Sequence, residues 1–415
     1  MLRDIVLMQK RELERRLTEP YVPRTVQIPE PLGDLILVIL GPRRAGKSFF
    51  AMRYALTRGP FGYVNFDDER LVDLRDHDQL IAAVDSVYEH PRQLLLDEVQ
   101  NVPGWELLVN RLQRQGYRLI VTGSNAQLLS AELATHLTGR HIPAVLLPFS
   151  FPEYVQSRSR ELTQAEIVET YQEYLERGGF PEPAVHGLPV EPYLRTLVHS
   201  TLYKDVVLRY RIRSPQALED LSSYLMSNIA RRFSWNALSG ILGGRSVHTV
   251  RKYFSYLERA FLFFAVPRFS FKIREQGKSP QKVYCIDNGL VTSTAFQSSA
   301  NRGPMTENLV AAALHKQELD GRIRVGYWQG PGQEEVDFVI HRDRRVHELI
   351  QVTTSIDQPS VLQREFRGLL KAGQALRCEN LTLLNDDVSD DRLVSWYGTE
   401  GRVRLIPTWQ WMMNL

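Results

Sequence analysis

Cysteine is almost missing from this chain: Cys285 and Cys378 are the only two in 415 residues. Two thiols so far apart exclude a disulfide scaffold and a cysteine-built zinc site, and they suit a reducing compartment such as the cytoplasm. The ten histidines are scattered without HExxH or HxxxH spacing, and no GxSxG elbow occurs, so neither a zinc hydrolase nor a serine hydrolase is indicated. Charge of one sign is lacking too. A formal net charge of +3 is too small to steer the whole molecule onto nucleic acid. Long apolar runs are absent: LILVIL (35–40) and FLFFAV (261–266) fall far short of the ~20 residues of a membrane span. The N-terminal MLRDIVLMQKRELERRLTEP is broken by Arg3, Asp4, Lys10 and Arg11 and shows no small-residue cleavage site. It reads as an amphipathic helix packing on the next domain rather than as a signal peptide.

What is present is a nucleotide signature. Pro20, Pro23, Pro29 and Pro31 mark a linker, and DLILVILG (34–41) follows as a continuous apolar run, the pattern of a buried parallel strand. It leads directly into GPRRAGKS (41–48), which fits GxxxxGK[ST] at Gly41, Gly46, Lys47 and Ser48, with a helical pattern after it. Such a loop turns successive backbone N–H groups toward phosphate oxygens and adds the positive end of a helix dipole. The candidate nucleotide-binding residues are Gly41, Pro42, Arg43, Arg44, Ala45, Gly46, Lys47, Ser48 and Phe49. Lys47 would meet the β and γ phosphates and Ser48 would be one ligand of Mg²⁺. LLLDE (94–98) is the matching strand: Asp97 as the second Mg²⁺ residue, Glu98 placed to polarise an attacking water. YVNFDD (63–68) and RLIVTGS (118–124) read as further strands. A strand lying between the P-loop strand and the D-E strand would bring Ser124 or Asn125 near the γ-phosphate. Arg140 is a candidate charge-neutralising finger, in cis or from a neighbouring subunit, and an exposed arginine is the competing reading. Strands alternating with helices make this an α/β unit with a parallel sheet.

The middle of the chain carries the basic charge. Residues 231–282 hold eleven Lys and Arg against two Asp and Glu, so the remainder of the chain is net acidic. SWNALSGIL, a GG turn at 243–244 and SVHTVRKYFSYLERA give helix, turn, helix. The second helix of such a pair is the one offered to a major groove. Arg245, Ser246, His248, Thr249, Arg251 and Lys252 are its candidate DNA contacts, against a packing module whose basic face is solvated or docks an acidic neighbour. From 305 onward, a helix with Glu307 precedes the strand patterns RVGYW, EVDFVIH and HELIQVT.

GPRRAGKS, YVNFDDER, LLLDEVQNVPGWE, VTGSNAQLLS, LTGRHIPAVLLPFSFPEY and LERGGFPEP stand here in the order they have in a family of AAA+-like ATPases common in archaea and bacteria, whose C-terminal half carries a domain of unknown function. The resemblance spans about residues 20–360. It implies Asn125 as a polar sensor and Arg140 as a functional arginine. It also implies five segments: an N-terminal helix and linker (1–30), a P-loop ATPase core of AAA+-like α/β fold (31–155), a helical lid (156–228), a winged-helix-like domain (229–290) and a PD-(D/E)xK nuclease-like α/β module (291–415). In such a nuclease core, carboxylates hold Mg²⁺ and a lysine orients water. Here the residues at those places are Glu307, Asp337, Gln351 and Thr353, an amide and a hydroxyl replacing an acid and the lysine, so the site reads as degenerate. The expectation is an ATP- and Mg²⁺-dependent ATPase, homo-oligomer formation being open, that acts on DNA; a nucleotide-gated scaffold and an ATP-dependent nuclease are the alternatives.

Overall fold

The computed structural model describes residues 1–30, 33–71, 74, 76–125, 139–272, 277, 279–294, 302–332, 334–343, 345–354 and 356–415. The chain divides into two compact units. One comprises Met1–Pro148 with Arg259–Phe261; the other comprises Phe149–Glu258 and Leu262–Leu415.

The first unit is built on a five-stranded sheet of β1 (Ile36–Leu40), β2 (Gly62–Asn65), β3 (Gln93–Asp97), β4 (Arg118–Gly123) and β5 (His141–Val145), in the order β2-β3-β4-β1-β5. All its pairings are parallel. The apolar run ILVIL is buried along its full length, as a strand covered on both faces must be. β4 lies between β1 and β3, the position its pattern suggested. Helices α1 (Leu2–Arg16), α2 (Lys47–Thr57), α3 (His77–Tyr88) and α4 (Trp105–Arg114) cover the sheet. α1 buries Ile5, Val6, Gln9 and Leu13. The Gln9 amide donates to Asn65 O and accepts from Asn65 N–H, both at 3.0 Å, and so closes part of the open edge at β2.

The second unit opens with α5 (Phe151–Gln156), α6 (Gln164–Arg177), α7 (Pro181–His186) and α8 (Val190–Ser200), the last running on into a π-helical stretch, Thr201–Leu208. Two of the recurrent motifs serve this region. In PFSFPEY, Glu153 accepts from Ser150 N–H at 2.9 Å and caps α5. In LERGGFPEP, Gly178 lies at φ +71, and a Cβ on it would stand 2.0 Å from Asp287 Oδ1. Asp287 in turn accepts from Gly179 N–H at 2.7 Å and Gly289 N–H at 2.8 Å. Burial pushes this carboxyl up to about 6.

Next come α9 (Pro215–Ser227), β6 (Arg232–Phe233), α10 (Trp235–Ile241), α11 (Val247–Arg259), β7 (Phe263–Pro267) and β8 (Gln281–Cys285). The three strands form an antiparallel sheet ordered β6-β8-β7. After α12 (Asn288–Thr294) and α13 (Arg302–Leu319), a six-stranded sheet ordered β13-β14-β12-β11-β10-β9 completes the unit. Its strands are β9 (Arg324–Gln329), β10 (Glu335–Arg342), β11 (Arg345–Val352), β12 (Leu381–Asn385), β13 (Asp390–Trp396) and β14 (Thr399–Pro407). β9, β10 and β11 are antiparallel neighbours, while β11, β12 and β14 run parallel. α14 (Pro359–Leu376) packs Phe366, Leu369, Leu370 and Leu376 onto this sheet, and α15 (Thr408–Met413) ends the chain.

Candidate functional site

The loop at 41–46 takes its shape from what its residues permit. Gly41 leaves β1 against the carbonyl of Leu146, only 1.9 Å from where a Cβ would stand. No other residue fits that approach. Arg44 and Gly46 both have positive φ, 63° and 88°, and turn the backbone before α2 begins at Lys47. Alternation of this kind makes a concave row of N–H groups, an anion nest. The Lys47 side chain is buried. Its Nζ donates to Pro42 O at 2.9 Å and lies 3.6 Å from Glu98 Oε1, so the ammonium is held inside the loop it would share with a phosphate.

Asp97 and Glu98 stand opposite. Ser48 Oγ donates to Asp97 Oδ1 at 2.9 Å, the Thr122 hydroxyl donates to the same oxygen, and Tyr63 OH donates to Oδ2 at 3.1 Å. Burial pushes the Asp97 carboxyl up, and the charge of Glu98 adds to the effect. Glu98 goes the other way. Burial opposes its ionisation, but Lys47, a hydrogen bond from Gln100 and the charge of Arg43 outweigh it and hold the carboxyl below its usual value. Its backbone is at φ 51°, uncommon for a non-glycine residue, and its N–H donates to Thr122 Oγ1 at 2.9 Å. Gln100 Nε2 donates to Glu98 Oε2 at 2.5 Å and to Ser124 Oγ at 3.4 Å. The arrangement therefore joins an anion nest, an ammonium, an ionised carboxylate and a hydroxyl–carboxylate pair. Ser48 and Asp97 offer the hard oxygen donors that Mg²⁺ takes, and they meet at one point, so they fit that ion.

Of the remaining expected residues, Asn125 is buried just past β4 on the same edge of the sheet, and Ser124 is drawn toward Glu98 through Gln100. Pro42 and Ala45 are buried, Arg43 is half-buried and Arg44 exposed. Phe49 lies on Tyr21, ring centroids 5.6 Å apart, with the Arg53 guanidinium 5.6 Å from its ring. Arg140 is not brought to the site. It precedes β5, its carbonyl accepting from Ile36 N–H at 3.0 Å, and so stands level with the start of β1. Five residues of parallel strand, about 16 Å, separate that edge from the loop. Its exposed side chain cannot serve the phosphate loop of its own chain, which corrects the in-chain reading of this finger. Thr122, Tyr63 and Gln100 were missed in the sequence. So was Arg24, whose Nη1 donates to Ala45 O at 2.8 Å and Nη2 to Leu147 O at 2.5 Å. The one signal among these was the glutamine two residues after Glu98.

In the second unit, Ser234 caps α10 by accepting from Ala237 N–H at 3.2 Å, and Ser246 caps α11 by accepting from Thr249 N–H at 3.1 Å. Ser246, His248, Arg251 and Lys252 are exposed, and Arg251 lies 5.2 Å from the Trp235 ring. Thr249 is half-buried, and Arg245 turns back to donate to Ser214 Oγ at 2.8 Å.

The four residues of the degenerate site divide. Glu307 on α13, Asp337 on β10 and Gln351 on β11 come together. Gln351 Oε1 accepts from Asp337 N–H and Asp337 Oδ2 accepts from Val352 N–H, each at 3.1 Å. Thr353 follows β11 and donates its N–H to Leu384 O at 2.9 Å. Glu348 faces away, accepting from Thr382 Oγ1 at 2.6 Å. Into the cluster comes Lys282 from β8, unforeseen in the sequence, with Glu335 as a further carboxylate. Burial pushes Glu307 up to about 7, aided by the charge of Asp337 and opposed by Lys282 and Tyr284. Lys282 is held well above its ordinary value: burial opposes its charge, but Asp337 and Glu307 outweigh it. Among the described residues, no group of three or more His, Cys, Asp or Glu side chains is arranged to hold a metal ion, and no helix is long and apolar enough to cross a membrane.

Sequence and site together make the first unit similar to an AAA-type P-loop ATPase domain: residues 34–155 match the family profile of an AAA domain. Residues 168–301 match a domain of unknown function. An uncharacterized protein of Methanocaldococcus jannaschii is 29% identical over 434 residues, covering 100% of this chain and 96% of the relative. Another from Haemophilus influenzae is 29% identical over 360 residues, covering 82% of this chain and 87% of the relative. Among solved structures, a Walker-type ATPase of Pyrococcus abyssi aligns with TM-score 0.43 and 16% identity, over 69% of this chain and 95% of its own. The replication initiator DnaA bound to AMPPCP and single-stranded DNA aligns with TM-score 0.30 and 16% identity, over 59% and 91%.

Proposed function

We propose that this protein hydrolyses ATP with Mg²⁺ and couples the cycle to conformational change while bound to DNA. The observation that carries the ATPase reading is the convergence on one loop of Lys47, the Ser48–Asp97 pair at 2.9 Å and an ionised Glu98 3.6 Å from Lys47. Lys47 and the N–H groups of the loop bind the β and γ phosphates. Ser48 and Asp97 would hold Mg²⁺, which would supply positive charge against the phosphates. Glu98 orients water and accepts its proton; Gln100 fixes one carboxylate oxygen and leaves the other facing Lys47. Asn125, on the same edge, senses the γ-phosphate. Lys47→Ala should abolish phosphate release and nucleotide binding in a purified, folded protein. Turnover at the wild-type rate would end this reading.

The DNA reading rests on the element order α9, β6, α10, α11, β7, β8, which is that of a winged helix, and on the exposed basic start of α11. DNA should stimulate phosphate release, and affinity should fall steeply with salt. A second reading, a nucleotide-gated assembly without DNA, is favoured by Arg140 alone: at the far edge of its own sheet, it can act as a finger only toward a neighbouring copy. A flat response to DNA, with activity that rises with protein concentration and needs Arg140, would select it. The buried free thiols Cys285 and Cys378 fit a cytoplasmic setting.

A further inference from the structure

The carboxylates of the C-terminal sheet surround a cation already. We infer that Glu307, Glu335 and Asp337 form a cation site whose resident ligand is the chain's own Lys282 ammonium, and that this site takes a hard divalent metal only when Lys282 is removed. Nζ lies 2.6 Å from Glu335 Oε1, 2.8 Å from Asp337 Oδ1 and 3.0 Å from Glu307 Oε1. An ammonium has three donors and no acceptor, and here three carboxylate oxygens from two elements meet it. The side chain is 3% exposed, so it does not exchange with solvent cations in this arrangement. Further hydrogen bonds hold the cluster in place. Asp337 Oδ2 accepts from Val352 N–H, Gln351 Oε1 accepts from Asp337 N–H, and Tyr284 OH donates to Glu307 Oε1 at 2.7 Å.

Metal and ammonium compete for one place. A divalent ion with oxygen ligands at ~2.0–2.6 Å would have its centre almost where Nζ is. Two cations cannot share that position, and a divalent ion beside it would face an unscreened positive charge in a buried site. The local chemistry agrees. The strand position that would add a further acid is the amide of Gln351, and Thr353 supplies no positive charge. The buried cation of this cluster comes from β8, a different sheet. Lys282 thereby ties the β6-β8-β7 sheet to α13 and β10, and Arg232, 3.6 Å from Glu335 Oε2, adds to the same tie. The site serves cohesion rather than cleavage, and it does so independently of the ATPase reading.

The test titrates Mn²⁺, without nucleotide, into the full chain and reads bound ion by electron paramagnetic resonance. Wild type and Asp337→Asn should bind equally, since the cluster adds nothing. Lys282→Ala and Lys282→Met should each gain one Mn²⁺ per chain, at least tenfold tighter than any ion bound by wild type. That gain should vanish when Asp337→Asn is added. A wild-type Mn²⁺ that Asp337→Asn removes would overturn the inference, as would folded Lys282 variants that gain none. If neither variant folds, the wild-type comparison with Asp337→Asn decides alone.

Discussion

Glu98→Gln should separate binding from chemistry in opposite directions. Lys47 Nζ is 3.6 Å from Glu98 Oε1, and both side chains are largely buried. Two unit charges at that distance attract by about 5 kcal/mol at an effective dielectric of ~20. A phosphate entering the loop must draw Lys47 toward itself against this attraction. Desolvation of the pair cancels much of the gross figure, which leaves ~1–2 kcal/mol opposing nucleotide, a factor of roughly 5–30. Glutamine keeps the shape and can still accept from Gln100, but it cannot hold Lys47 electrostatically or take a proton from water. ATP should therefore bind roughly 5–30-fold tighter to the variant, while kcat falls by ~10²–10⁴ as expected for loss of a general base. Calorimetric titration with a non-hydrolysable ATP analogue reads the first, and steady-state phosphate release at saturating ATP reads the second. Weaker binding would show that Glu98 does not restrain Lys47. An unchanged kcat would show that Glu98 is not the group that handles water.

Gly178→Ala should destabilise the second unit by about 3 kcal/mol, combining an alanine in a positive-φ, extended-ψ conformation open essentially only to glycine with overpacking against Asp287; denaturant titration checks it, and a change below ~1 kcal/mol would mean the loop relaxes freely. Glu307 has a folded-state value of about 7, above its unfolded 4.5, so its contribution to stability is fully present below pH 4.5 and is lost as pH rises through 7. The whole change is up to about 3 kcal/mol, and Glu307→Gln should flatten that part of the stability-versus-pH curve measured by chemical denaturation. Arg251→Glu with Lys252→Glu should weaken DNA binding at least tenfold and leave DNA-free ATPase unchanged; filter binding at several salt concentrations tests this.

The phosphate loop and its acidic partner were legible because each sits within a short stretch whose residue types permit one backbone path: GPRRAGKS after an apolar run, DE at the end of three leucines. The place of β4 followed from the same logic, since a strand ending in polar residues belongs at a ligand edge. What sequence could not show is where side chains meet across long separations. Lys282 reaches Asp337 over 55 positions and two sheets, and nothing in QKVYC distinguishes that lysine from a solvated one. Arg140 stayed open between a finger and an exposed arginine for a related reason: only the parallel register tells which edge of the sheet it occupies. LERGGFPEP stood in the sequence only as a recurring motif, and the close approach of Gly178 to Asp287 came from the structure.

Arg24 carries one more implication. A single guanidinium grips the carbonyl just ahead of the helix that starts at Lys47 and also the carbonyl of Leu147, where the polypeptide leaves the nucleotide-binding unit. On the proposed ATPase reading, a shift of Ala45 on nucleotide binding would be felt at Leu147 through that one side chain.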